Sequence, residues 1–363
     1  MKLTATIKLL PNDEQRQYLY QTLERANAAC NWISEKAWET RTFNMTRLHH
    51  LTYYVARAEF DLGSQITVRC IGKVIGAYKL DKKTKRLFKK LGGIPFDSHN
   101  LTFKTDKREI LIWSVGGRLT IPFTAGAGQL ALLEHQQGES DLIYRKGVFY
   151  LFTTCDVPDD TPIDVEGFLG VDLGVKNIAV DSDGNIHSAK HLLNVRHRHR
   201  RLRRKLQKKG TKSAKRLLKH LSGKEQRFAR DTNHCISKQL VRIAKGTGRG
   251  IALEDLSGIR DRVNVPRKRR GELHSWSFYQ LRSFVAYKAE HAGVPVVYVD
   301  PRNTSRTCTA CGCVDKRNRP TQATFSCISC GFVSHADINA AINISRRGSV
   351  NAPHANGRPG QPG

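Results

Sequence analysis

The sequence predicts an α+β protein of several domains, and three patterns carry that prediction. In the N-terminal part a long run of helical period gives way to short strands of period two. Further on, two strand-like apolar runs each carry an acid on a face of small residues: Phe168-Leu169-Gly170-Val171-Asp172-Leu173-Gly174 and Gly250-Ile251-Ala252-Leu253-Glu254-Asp255-Leu256. Near the C-terminus two Cys-x2-Cys pairs precede a short helical stripe that opens at Asp337. A chain of 363 residues is long enough for two or three cores of this kind.

Residues 1–10 begin Met1-Lys2-Leu3-Thr4-Ala5-Thr6-Ile7-Lys8, which alternates like a strand and lacks the uninterrupted apolar stretch of a signal peptide. Pro11-Asn12-Asp13-Glu14 then opens a helix with Asn12 as its cap. Leu19, Leu23, Ala26, Cys30, Ile33 and Ala37 follow at spacings of four and three, so this stripe and the nearby Trp32 and Trp38 read as core. Cys30 reads as a small buried hydrophobe. Helical material is expected to about Lys90, closed by Leu91-Gly92-Gly93-Ile94-Pro95, which makes residues 11–100 a helical domain. From Leu101 to Val157 short strands and glycine-bearing turns predict a small barrel or sandwich, built from residues 1–10 and 101–162 with the helical block inserted. Residues 158–165 form a linker.

In the second half, residues 166–304 and 335–347 are expected to form the acid-bearing domain. Alternation puts Leu169, Val171 and Leu173 on one face of a strand and Asp172 on the other, beside Gly170 and Gly174 only. The small residues leave an open floor around the carboxylate. An unpaired carboxylate in a buried strand costs several kcal/mol, and the segment supplies no Lys or Arg to pair it. Glu254 repeats the design beside Ala252. The third acid, Asp337, opens His335-Ala336-Asp337-Ile338-Asn339-Ala340-Ala341-Ile342-Asn343-Ile344, where Ile338, Ala341 and Ile342 recur at helical spacing. A negative charge there suits the helix dipole, and the apolar stripe is short because Ser345 follows on the same face. Each acid alone could be a strand-end polar residue, a turn former or a helix cap. Three together point elsewhere: two carboxylates about 5 Å apart repel by about 3 kcal/mol at an effective dielectric of about 20. Divalent cations remove that penalty and create phosphodiester-cleaving chemistry.

Charge supports a polyanionic partner. The chain carries 61 Lys+Arg against 32 Asp+Glu, a formal net charge of +29, with neither an amphipathic anchor nor a long apolar span that would suit a membrane. Between Lys190 and Arg230 stand seventeen Lys or Arg and one acid, Glu225. Apolar residues at helical spacing predict two short helices there, broken near Gly210, and hence a basic arm over residues 190–230. A soluble, intracellular protein is expected, so the nine cysteines favour thiols or metal ligands over disulfides.

Cys308-Thr309-Ala310-Cys311 and Cys327-Ile328-Ser329-Cys330 are separated by fifteen residues, and each is followed by glycine, Gly312 and Gly331. That spacing predicts a four-thiolate structural zinc site over residues 305–334, with no open position for a substrate. Cys313 is left over, as a bystander or a substitute for a neighbour. Asp337 follows the second pair by seven residues, so a loose ribbon would misplace the third acid. The tail, residues 348–363, is rich in Gly, Pro and Asn and is expected to be disordered.

The order of Gly170-Val171-Asp172-Leu173-Gly174, Leu253-Glu254-Asp255-Leu256, the four-cysteine ribbon and Asp337-Ile338-Asn339-Ala340-Ala341-Ile342-Asn343-Ile344 resembles TnpB, the transposon-encoded RNA-guided nucleases related to compact type V CRISPR effectors. The resemblance covers nearly the whole chain; its C-terminal motifs are specific and its N-terminal part is architectural. It implies an RNase H-like RuvC domain with Asp172, Glu254 and Asp337 as catalytic, magnesium- or manganese-binding acids, and zinc on Cys308, Cys311, Cys327 and Cys330. It implies a wedge-like β-barrel and a helical recognition domain. A guide RNA from the transposon end and a double-stranded DNA target beside a transposon-adjacent motif would be the partners, with the protein a monomer in a cytoplasmic, nucleoid-associated ribonucleoprotein. On the arm, Arg200, Arg201, Arg203, Arg204, Lys205, Lys208 and Lys209 are the expected nucleic-acid contacts. One departure is Ala336, where an arginine often precedes the third acid in the family. Two rivals remain: a DNA transposase, although the elements that carry this family are moved by a separate enzyme, and a silent RNA-guided repressor, which would have lost acids that are all present here.

Overall fold

The computed structural model describes residues 1–256 and 278–351, in two units, Met1–Pro158 and Asp159 onward. In the first, β1 (Lys2–Leu9) is the middle strand of a seven-stranded antiparallel sheet. The others are β2 (Ile94–Phe96), β3 (Leu101–Lys104), β4 (Glu109–Ser114), β5 (Gly117–Thr124), β6 (Gln136–Arg145) and β7 (Val148–Asp156), in the order β2-β6-β7-β1-β5-β4-β3. The sheet is barrel-like but open, with β2 and β3 as its edges.

Between β1 and β2 run α1 (Asp13–Glu39), α2 (Met45–Glu59) and α3 (Ser64–Leu80). Asn12 caps α1 in a reciprocal box with Gln15, and the stripe from Leu19 to Ala37 is wholly buried. Helix was expected to about Lys90 but stops at Leu80. The following segment is instead tied alongside α1, where Asn31 exchanges hydrogen bonds with the Phe88 backbone at 2.7 and 3.0 Å and Ser34 donates to the Arg86 carbonyl at 2.7 Å. Ile94–Phe96 then pairs with β6, so the sheet resumes before residue 100. A short α4 (Ala127–Leu133) precedes β6.

The second unit is built on five strands: β8 (Phe168–Asp172), β9 (Asn177–Asp181), β10 (Ile186–Ser188), β11 (Gly250–Glu254) and β12 (Val296–Val299), in the order β10-β9-β8-β11-β12. The strands β8, β11 and β12 are parallel, while β9 and β10 are antiparallel additions. Its basic arm holds three helical segments rather than two, α5 (Lys190–Lys209), α6 (Lys212–Leu221) and α7 (Lys224–Gly246), because both Gly210 and Gly223 adopt positive φ and break the chain. From Leu169, Val171, Ile251 and Leu253, one sheet face packs on Ile236 and Leu240 of α7 and on Leu281 and Val285 of α8 (Phe278–His291).

The opposite face receives α9 (Ala336–Asn351). A methyl group on Gly170 would sit 2.0 Å from the Ala341 carbonyl and 2.4 Å from the Ser345 amide, and one on Gly348 would come within 2.6 Å of the Ala252 side chain. The floor expected to be open around the acid is therefore filled by helix backbone. Small residues on β8 and β11 let α9 lie directly on the sheet, bringing its first turn to the strands' C-terminal ends. α9 also overturns part of the expected disordered tail: residues 348–351 are helical, held by the buried Gly348, and residues 352–363 lie outside the described residues. Between β12 and α9 the zinc-ribbon segment contains a 3₁₀ turn at Lys316–Asn318 and a hairpin of β13 (Thr324–Ser326) and β14 (Val333–His335). Among the described residues no helix is long and apolar enough to cross a membrane.

Candidate functional site

Asp172 and Glu254 end the adjacent parallel strands β8 and β11, and Asp337 lies in the first turn of α9. The carboxyl of Asp172 is pushed up to about 8, first by burial, then by the negative charges of Glu254 and Asp337; Arg319 and the Leu173 amide oppose the shift. Glu254 is 9% exposed. Burial raises its pKa, against the Thr304 hydroxyl and the charges of Arg347 and Arg319. Asp337 accepts hydrogen bonds from Asn177 Nδ2 at 2.9 Å and Arg319 Nη2 at 3.0 Å. Asp172 thus lies within electrostatic reach of both other acids, whereas Asp255 is exposed beside Arg282 at 3.3 Å.

Sequence reasoning missed Arg319, Asn177 and Thr304. Arg319 lies in an irregular stretch just after the 3₁₀ turn, where no periodicity marks a function, and it supplies a guanidinium beside Asp337 although Ala336 stands next to the acid. Ala336 itself is buried with Cys308, Phe325 and Cys327 in the ribbon's small core. The asparagines of Asp337-Ile338-Asn339-Ala340-Ala341-Ile342-Asn343 are braces. Asn339 accepts from the Thr309 amide and hydroxyl and donates to the Thr307 carbonyl, while Asn343 donates to the carbonyls of Thr304 and Thr307. These bonds fix the first cysteine knuckle to the helix that carries the third acid.

Cys308, Cys311, Cys327 and Cys330 bring their sulfurs within 4.8 Å of one another. Cys308 and Cys330 are 3.7 Å apart and Cys311 and Cys327 are 3.6 Å apart, far beyond a disulfide bond and close to the roughly 3.8 Å edge of a tetrahedron with zinc–sulfur bonds of about 2.3 Å. The amides of Cys330 and Ser329 hold the Cys327 thiol down to about 6, favouring the thiolate a metal needs. Gly312 and Gly331 take φ of 76° and 74°, closing the knuckle turns onto the carbonyls of Cys308 and Cys327. Cys313 stays outside this group; its carbonyl accepts the Cys308 amide. The cluster suits structural zinc.

The acids are looser. Among the described residues the four thiolates form the group of three or more metal-binding side chains gathered this tightly. Yet a carboxyl whose proton is held up to about 8 by burial and two acidic neighbours marks a site short of positive charge. Hard oxygen donors of this kind fit magnesium or manganese.

Arg200, Arg201, Arg203, Arg204, Lys205, Lys208 and Lys209 are exposed on α5 and make none of the hydrogen bonds of the three acids described above. Arg203 is already engaged, 3.0 Å from Glu225, which also lies 3.6 Å from Arg196. Glu225, the single acid of residues 190–230, therefore ties α5 to α7.

A family model described as a probable transposase matches residues 153–257, and one described as a Cas12f1-like TNB domain matches residues 278–344. A TnpB-like protein of Methanocaldococcus jannaschii is 33% identical over 208 residues, 53% of this chain and 74% of that relative. The chain belongs to the TnpB family. It is related to type V effectors: a CRISPR-associated endodeoxyribonuclease Cas12f1 of Sulfoacidibacillus thermotolerans is 34% identical over 233 residues, 58% of this chain but only 54% of that relative's length. In a solved structure of a Cas12f1–sgRNA–target DNA complex, the Cas12f1 fold is shared with a TM-score of 0.63 at 17% identity, over 91% of this chain and 82% of that one. This TnpB protein thus shares its multidomain α+β architecture with Cas12f1.

Proposed function

We propose that this TnpB protein is an RNA-guided DNA endonuclease of a transposable element, cutting beside a short adjacent motif at a RuvC-like site formed by Asp172, Glu254 and Asp337. The observation that carries the reading is the placement of Asp172 and Glu254 at the ends of adjacent parallel strands, with Asp337 in the first turn of the helix laid on them; the raised Asp172 carboxyl agrees with it. The mixed five-stranded sheet supports an RNase H-like assignment for residues 166–304 and 335–347, and the barrel-like sheet with its inserted helices supports the wedge and recognition assignments.

Divalent magnesium or manganese bound there would activate water and polarise the scissile phosphate. Asp172 and Glu254 would hold it from the strand ends and Asp337 from the first turn of α9. Thr304 orients Glu254, and the ribbon positions Arg319. The exposed arginines and lysines of α5 would follow the phosphate backbone, with sequence choice left to pairing between a transposon-derived guide RNA and the target strand. Homologues named for endodeoxyribonuclease activity support cutting over strand transfer, and the presence of all three acids disfavours a silent repressor.

The test is to sequence the RNA that copurifies, then offer duplex DNA matching it beside a randomised flank. Cut ends with one enriched flank are expected. Joined strands would establish a transposase, and binding without cleavage a repressor.

A further inference from the structure

A cavity of about 520 Å³ is lined by Asp300, Arg302, Asn303, Arg346, Arg347 and Val350, and Asp300 follows Val299, the β12 partner of Glu254. We infer that this cavity grips a backbone phosphate of the DNA strand presented to the three acids, with Arg302 and Arg346 as positioning residues. The inference rests on the nuclease reading of that site and extends it to how the substrate strand is held.

The lining holds three arginines and one aspartate, so it is cationic. Its frame is hydrogen-bonded without being used up. Arg347 spends Nη1 on the carbonyls of Asp300 and Arg302, each at 2.7 Å, and Arg346 spends Nη1 on the Thr309 carbonyl at 2.6 Å. A guanidinium carries five N–H donors, so both retain donors for an anion. Arg302 is 87% exposed, with only a 3.9 Å approach to Asp300. Asn303 holds φ at 60°, a left-handed backbone uncommon outside glycine, and its carbonyl accepts the amides of Arg306 and Thr307 at 3.0 Å. The neighbouring Thr304 then reaches Glu254. One short loop therefore joins the arginine cavity to a carboxylate of the site. Fork-shaped guanidinium donors match phosphate oxygens, and a volume of this size admits a phosphate with part of its sugar.

The experiment uses the full chain with its copurified guide RNA. DNA binding and cleavage are measured for Arg302→Gln, Arg302→Lys and the Arg302→Gln/Arg346→Gln pair. Arg302→Gln should weaken DNA binding about fivefold and lower the slope of log K against log salt by about 0.7 to 0.9. Its KM should rise with kcat nearly unchanged, Arg302→Lys should restore the slope, and the pair should lose about twice as much slope. A neutral methylphosphonate scanned along the DNA near the cut should reproduce the loss in the parent at one position and add nothing in Arg302→Gln. Slopes equal to the parent's, or a parallel loss of guide RNA affinity, would overturn the assignment to DNA. A parent that binds DNA without cutting would instead overturn the nuclease reading while leaving the subsite to be judged by its slopes.

Discussion

The ribbon and the proposed acid site arrange side chains capable of holding a metal in opposite ways. Four thiols converge within 4.8 Å from two glycine-closed knuckles in a single ribbon segment, so their ligand shell closes upon itself. Three carboxylates instead come from β8, β11 and α9, are not gathered so tightly, and lean on Thr304, Asn177 and Arg319. A closed shell can only stabilise, whereas an open, electrostatically unsatisfied one leaves room for substrate. The difference teaches that local spacing suffices to gather four thiols, while the three acids of the proposed site are brought near one another only by the whole sheet and the helix laid across it.

The largest way to break this contrast is to open the ribbon. Cys311→Ser or Cys327→Ser should remove about one equivalent of zinc, whose binding contributes on the order of 10 kcal/mol to the folding of small domains. Because Asn339 and Asn343 brace the ribbon to α9, DNA cleavage should fall with it. Elemental analysis of purified protein together with thermal unfolding checks this. Full zinc content and an unchanged melting point would remove these thiols from the metal.

The acids should behave inversely, with activity lost and the fold kept. Asp172→Asn, Glu254→Gln and Asp337→Asn should each lower cleavage by at least about 100-fold, since even outer-shell changes at metal sites cost about 10- to 100-fold. Guide RNA affinity should stay within twofold of the parent. Gel assays of cutting alongside RNA titration separate the two effects, and normal cutting by any variant would exclude that acid.

How far the contrast could be read in advance depended on how local each signal was. The α1 stripe was legible because one helix face repeats its own period, and the two Cys-x2-Cys pairs because their geometry is set by adjacent residues. Strand β6 was not, since Gln136-Gln137-Gly138-Glu139-Ser140-Asp141 has no apolar alternation and its pairing shifts register between Gln136 and Ser140. Gly170 was legible as a place where something comes close, but a glycine does not say whether the visitor is an ion or a helix. The acids could be found on their elements. Arg319 could not, because only the tertiary fold brings that loop to Asp337.

A region outside both sites sharpens the comparison by acting through charge alone. Replacing Arg200, Arg201 and Arg204 with glutamine should lower the salt slope of nucleic-acid binding by about 0.7 to 0.9 for each lost contact between about 50 and 200 mM salt. Arg203→Gln should do less, because its guanidinium already pairs with Glu225. Zinc content should not change in either. Equal slopes for the triple variant and parent would make α5 a solvated surface only.

The smallest effect concerns the acids in the absence of added divalent cation. Folding lifts the Asp172 carboxyl from an ordinary value near 3.8 to about 8, and Glu254 moves in the same direction. A raised carboxyl pKa means that the folded state holds the proton more tightly than the unfolded one. Its contribution is fully present below the unfolded value and is lost as pH rises through about 8. In buffer free of added magnesium, stability should therefore decline from pH 5 to pH 8, by at most about 1.4 kcal/mol per pH unit from this one group. Asp172→Asn should flatten that part of the profile and be the more stable protein at pH 8. Magnesium should restore the parent at pH 8 and do little for the variant, because the cation replaces the proton only where there is a charge to neutralise. Urea unfolding at the two pH values, with and without magnesium, reads all four states. A parent whose stability is the same with and without Asp172 at pH 8 would show that burial and its acidic neighbours do not hold this carboxyl away from its ordinary value, and the electrostatic difference between carboxylate site and thiolate ribbon would go with it.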